Sequence, residues 1–140
     1  MDPYVRSVTS LFRKMKTRFA HDLETRYFHN TIYDVVYTDE RRTKYEEVDR
    51  TLDMDPNYRV FVVGDASMAP YELDERSIIF WGRLKDKFKR TAWLNPTYEK
   101  YWGMSYTTQL LKELISMYPM TPRGIEKAVR EMNRLTYKDK

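Results

Sequence analysis

The sequence predicts an α/β domain on a mostly parallel sheet, with an antiparallel strand near one edge. Three observations carry that expectation. The run 58–63 (YRVFVV) ends in four consecutive apolar, strand-forming residues, the composition of a strand covered on both faces. Residues 91–94 (TAWL) form a second short strand, stopped by Asn95-Pro96. Around these runs lie segments whose apolar residues recur every three or four positions, so strands alternate with helices.

Taken in order, Asp2 and Pro3 suit the cap and first position of a helix. Val5, Val8, Phe12, Met15 and Phe19 then share one face, which predicts a helix over 3–20. Two strand-like pieces follow at 25–29 and 32–38, with Asn30-Thr31 as a tight turn that would make them antiparallel. Thr43 stands three residues before Glu46 in the pattern of a capping box, which predicts a helix to about Leu52. Asp53–Asn57, with Pro56, ends it. A helix over 73–87 carries Leu73, Ile78, Ile79, Trp81 and Leu84, with Phe88 at its exit. Residues 97–104 are aromatic and irregular, and 107–116 are helical through Leu110, Leu111, Leu114 and Ile115. An extended piece at 117–120 leads to Thr121-Pro122 and a last helix that should bury Ile125, Val129 and Met132.

The bulk composition bounds the function. A chain of 140 residues, 41% hydrophobic and 15% aromatic, can bury a core without covalent staples. It has no cysteine, which removes disulfides, thiolate nucleophiles and Cys-rich zinc sites. Two histidines, His21 and His29, do not suffice for a histidine-rich zinc centre. No window approaches the length of a membrane span, and the start lacks the basic and apolar segments of a secretory signal. The expected home is the cytoplasm. The formal net charge of +4 is uneven: 12 basic against 15 acidic residues over 1–80, then 13 against 6 over 81–140. Interleaved acids make a solvated surface the reading of that asymmetry.

Asp65 is the residue that asks for a role. It follows the strand at 58–63 and Gly64, and ligands of open α/β sheets gather at the carboxyl ends of strands. A carboxylate there can bind a hard cation, cap the next helix, act as a base, or accept hydrogen bonds from its own loop. Thr43, an ordinary N-cap on local grounds, offers a hydroxyl that could face the same oxygen-lined metal site.

The run Val62-Val63-Gly64-Asp65-Ala66-Ser67-Met68-Ala69-Pro70-Tyr71-Glu72-Leu73 resembles the signature of bacterial von Willebrand factor A-type (vWA) domains of the CoxE-like group. Other short motifs agree in order: Tyr27-Phe28-His29-Asn30 with Ile32-Tyr33, Trp93-Leu94-Asn95-Pro96, Trp102, and Tyr118-Pro119-Met120-Thr121 with Gly124-Ile125. The resemblance covers essentially the whole chain. It implies a Rossmann-like sheet flanked by helices, whose rim carries a metal-ion-dependent adhesion site. On that resemblance Asp65 is the site's aspartate and Thr43 its threonine. Mg²⁺ is the implied ion, with six oxygens around it and one position left for a partner's carboxylate. Relatives are thought to work beside MoxR-type AAA+ ATPases in cofactor insertion or complex maturation.

One departure matters. In that family a D-x-S-x-S type loop precedes a methionine, and this chain opens Met1-Asp2-Pro3-Tyr4 at the matching point. The first strand and its metal motif are therefore expected to be absent. Asp65-Ala66-Ser67 follows the wrong strand to replace them. With Asp65 and Thr43 alone, Mg²⁺ binding should be weak. The lost strand normally lies between the second strand and the one at 58–63. Its absence should expose two apolar edges or force a rearranged sheet, and so favour homo-oligomers.

The expected function is thus a non-enzymatic protein-interaction module. A basic nucleic-acid-binding domain is the alternative, with Arg83, Lys85, Lys87, Lys89 and Arg90 on phosphates and Trp81 or Phe88 as a stacking ring, although Asp86 interrupts the run. An enzyme is the third reading. His21 and His29 could be bases, and Asp65 with Ser67 suggests a hydrolase, but no G-x-S-x-G elbow exists and no triad order emerges.

Overall fold

A computed structural model describes residues 23–138. The helix expected over 3–20, and His21 with it, lie outside the described residues. The architecture is mixed α/β: a three-stranded parallel sheet flanked by helices, with a separate two-stranded antiparallel sheet.

The small sheet pairs β1 (Val35–Tyr37) with β2 (Tyr45–Glu47), Val36 opposite Glu46. The capping-box spacing of Thr43 and Glu46 predicts a helix from Thr43, and the structure corrects this. Asp39 accepts hydrogen bonds from the backbone N–H groups of Thr43 and Lys44, both at 2.9 Å, and from the Thr43 hydroxyl. These bonds close a hairpin loop, assisted by Arg42 at φ 58°. The Glu46 side chain meets Arg26 at 2.8 Å and the Thr51 hydroxyl instead of capping a helix. Only α1 (Val48–Thr51) remains helical there. The pair expected from 25–29 and 32–38 survives as antiparallel bridges, Tyr27 with Tyr37 and His29 with Thr31, around Asn30 at φ 60°.

The main sheet has the order β3 (Val60–Val63), β4 (Thr91–Asn95), β5 (Met117–Pro119), all parallel. Every residue of β4 is buried, which makes it the central strand. The apolar run ending at Val63 reads from sequence as central, yet only Val62 of β3 is buried. The reason is pairing: β4 flanks one side of β3, and no described strand flanks the other.

Helix α2 (Glu75–Lys87) starts where the Asp74 side chain accepts from the Ser77 N–H at 3.1 Å, a side-chain cap that satisfies an otherwise orphaned donor. It buries Phe80, Trp81 and Leu84 against one face of the sheet. Full burial of such side chains stabilises by about 1.5–3 kcal/mol each. Trp81 packs on Trp93 of β4, ring centroids 4.8 Å apart, and edge-on to Phe28 at 5.7 Å. Helix α3 (Tyr106–Leu114) begins at Ser105, whose hydroxyl accepts from the Thr108 N–H, and buries Leu111. Helix α4 (Pro122–Lys138) covers the opposite face through Ala128 and Met132, with Ile125 half-buried. Val129, expected in the core, is instead 38% exposed, and Ala128 takes the inward position. Gly124 lets α4 close on β5, because a Cβ there would stand 1.9 Å from the Pro119 carbonyl oxygen.

Candidate functional site

The parallel order puts the loops after β3 and β4 at one rim of the sheet, and buried side chains stitch them together. Asn95 closes β4 fully buried. Its Nδ2 donates to the Asp65 carbonyl at 2.9 Å, and its Oδ1 accepts from the Thr97 N–H at 2.9 Å. Trp93 Nε1 donates to the Gly64 carbonyl at 2.8 Å. From the start of α3, the Thr107 and Thr108 hydroxyls donate to the Ala66 carbonyl at 2.8 and 3.0 Å. Thr107 Oγ1 also accepts from the Met68 N–H at 3.1 Å.

Held this way, Ala66 sits at φ 58°, a left-handed conformation that costs a non-glycine residue roughly 1–2 kcal/mol. Strain of this kind persists where the surroundings over-determine the backbone, and it concentrates at functional loops. Its local effect is to turn the Asp65 carboxylate outward. Oδ1 accepts from the Ser67 N–H at 3.0 Å, and the side chain is exposed.

The same rim is rich in exposed aromatic surface. Tyr71 belongs to a 3-10 turn (Pro70–Glu72), and Tyr98, Tyr101 and Met104 lie in and beside another (Glu99–Met104). With Tyr106 at the start of α3, these five side chains are 46–82% exposed. Trp102, in the same aromatic stretch 97–104, is buried and donates Nε1 to the Thr97 carbonyl at 2.9 Å.

Thr43 is placed differently. It lies on the loop of the β1–β2 hairpin, in the other sheet, and its hydroxyl donates to Asp39. That bond holds the Asp39 carboxyl below the usual carboxylate range, helped by the Lys44 and Thr43 amides. Described residues thus bring to Asp65 one carboxylate and a shell of hydroxyls already spent on backbone carbonyls. No group of three or more His, Asp or Glu among them could hold a metal ion. As a Mg²⁺ site the fit is poor, because six oxygens are needed and water would supply most of them.

The features behind the alternative readings are also located. Trp81 and Phe88 are buried, 1% and 2% exposed, so neither offers a stacking face. Arg83 pairs with Asp49 at 2.7 Å, and burial pushes the Lys85 amine down. His29 is exposed at its bridge, and Ser67 meets Asp65 through its backbone N–H rather than its hydroxyl. No helix among the described residues is long and apolar enough to cross a membrane.

Sequence reasoning missed Asn95, Thr107 and Thr108 as parts of this rim. Asn95 ends a buried strand, and the two threonines open a helix behind Ser105, but their target carbonyls are about thirty to forty residues away in sequence. Comparison with protein-family profiles, curated proteins and solved structures returns no match.

Proposed function

We propose that the chain is a non-catalytic protein-interaction module of the von Willebrand A kind, docking its partner at the rim that carries Asp65. The observation that carries this reading is the strained Ala66 turn, fixed by Asn95, Thr107 and Thr108, which presents an exposed carboxylate. The surrounding tyrosines support it, since Tyr supplies large amphipathic contact area at low entropic cost and is enriched at interfaces. A MoxR-type AAA+ ATPase is the proposed partner class, on the strength of the sequence resemblance. Mg²⁺ would be held weakly through Asp65, with a partner acid completing its shell. The cysteine-free composition suits the cytoplasm as the site of action.

The test has two arms. Mg²⁺ titration followed at the backbone amides of Asp65 and Ser67 should give saturable shifts in the millimolar range that Asp65→Asn removes. Binding to a purified MoxR-type ATPase should weaken about tenfold or more in Asp65→Asn and in the Tyr98→Ala, Tyr101→Ala double variant. Unchanged binding in both variants would refute the rim as the docking surface. Affinity that falls steeply with salt, and ignores Mg²⁺, would support the nucleic-acid alternative.

A further inference from the structure

The rim that carries Asp65 is one end of the parallel sheet, and the opposite end, where the strands begin, is basic. Val60 of β3 stands opposite Thr91 of β4, and the Val60 N–H donates to the Arg90 carbonyl at 2.9 Å. Arg59 and Arg90 therefore enter neighbouring strands side by side, on backbones about 4.8 Å apart. Helix α2 returns to the same end, as a helix linking two parallel strands must, and finishes at Lys87. Lys89 follows in the turn to β4. That turn is fixed, because the buried Phe88 donates its N–H to the Leu84 carbonyl at 2.9 Å and its own carbonyl accepts from the Thr91 hydroxyl.

Five cations thus gather at one edge: Arg59, Lys85, Lys87, Lys89 and Arg90. Arg59 and Lys89 are exposed, and the other three are half-buried. None of the five makes an ion pair among the described residues, whereas Arg83 on the same helix is tied to Asp49 at 2.7 Å. Asp86 is the one acid within 85–90, and Asp55, ahead of β3, spends an oxygen on the Asn57 N–H at 2.9 Å. The Lys85 amine is held below its usual range, by burial first and by the Lys89 cation second, so like charges press on each other here. The dipole at the C-terminus of α2 gives Lys85 and Lys87 a reason of their own. It gives none to Arg59, which arrives from a different loop.

Repeated cations call for a ligand with repeated negative charge, and an exposed ring decides which. Tyr58, next to Arg59, is 37% exposed. An acidic polypeptide would use the cations and leave that ring idle, whereas a nucleic-acid strand supplies phosphates for the one and base faces for the other. A base can stack on a side chain only when it is unstacked from its neighbours, which selects single strands over duplex. Local spacing offers Trp81 or Phe88 as the ring, and both are buried. The pairing of β3 with β4 is what brings Tyr58 and Arg59 to the basic turn. We infer that this edge binds single-stranded nucleic acid without sequence preference, its cations on the phosphates and Tyr58 against a base. The site lies at the far end of the strands from Asp65 and does not rest on the docking reading of the rim.

The test is fluorescence anisotropy of a labelled oligothymidylate of about 20 nucleotides, titrated with the 140-residue chain. The dissociation constant should be on the order of 10–100 μM near physiological salt. Log affinity should fall with log salt at a slope of about −2 to −3, the counterion release of about three to four contacted phosphates. Arg59→Gln with Arg90→Gln should weaken binding about tenfold and flatten that slope by about 1.4. Should the pair disturb folding, Lys89→Gln carries the same test at about half the slope change. Tyr58→Ala should weaken the single strand about fivefold or more and leave a duplex of the same length unaffected. An equal charge loss on the exposed side of α4, Arg123→Gln with Lys127→Gln, should leave affinity nearly unchanged. Absence of binding would overturn the inference. So would an α4 variant as weak as the Arg59 and Arg90 variant, a Tyr58→Ala variant that binds the single strand as the parent does, or a Glu-rich peptide of matched charge that binds as tightly.

Discussion

At Ala66 the backbone adopts a conformation that a methyl side chain resists, and three buried donors from β4 and α3 keep it there. Replacing that methyl by hydrogen should relieve the strain. Ala66→Gly is expected to raise unfolding free energy by up to about 1 kcal/mol in urea titration, less what glycine loses in unfolded-chain entropy. The sequence around Asp65 reads as a ligand-bearing loop, but nothing in Gly64-Asp65-Ala66-Ser67 announces that alanine takes the left-handed angle. Thr43 gives the opposite lesson. Its hydroxyl is committed to Asp39, so Thr43→Val should let the Asp39 pKa rise toward the ordinary carboxylate value, read by NMR titration. The folded-state pKa of Asp39 is depressed. Its contribution is therefore full above the ordinary carboxylate range, and it fades as pH falls through the lowered folded value. Thr43→Val should flatten that acid-side dependence.

Among the elements, β5 and α4 meet more tightly than their sequences suggest. The Gly124 Cα stands against the Pro119 carbonyl, with no space for a Cβ, so the helix start must move if one is added. Gly124→Ala should destabilise by about 1–3 kcal/mol in chemical denaturation, against the helix-propensity gain that alanine brings elsewhere. The elements best foreseen were α2 and α3, from their apolar spacing, and β4, from its Asn95-Pro96 stop, while the Asp74 and Ser105 caps emerge only in the structure. The failure came at β2. Thr43 and Glu46 have capping-box spacing, but three residues of Tyr45–Glu47 fit a strand as well, and the hairpin loop built by Asp39 decided between them. Short segments carry too few turns for periodicity to discriminate.

At the scale of the whole molecule, side chains rather than a continuous sheet join the hairpin region to the parallel sheet among the described residues. The Thr31 hydroxyl bonds Ser77 and accepts from Trp81 Nε1 at 3.0 Å, and Trp81 packs at a tilt against Trp93 of the central strand. All four residues are buried, 0–5% exposed. Thr31→Val keeps the shape but strands the indole N–H and the serine hydroxyl, and should cost about 2 kcal/mol in thermal or urea unfolding. Exchange protection in the hairpin should fall before protection in β4 does. By itself the sequence determined the α/β class, the acid at the end of β3, the Thr121-Pro122 start of α4, and a core rich in aromatic residues, because each depends on neighbours a few positions apart. The tertiary structure alone decided that β4 and not β3 is central, that Thr43 serves Asp39, and that distant threonines hold the Asp65 loop. Those outcomes depend on which backbone groups find partners far along the chain, and local spacing carries no record of that.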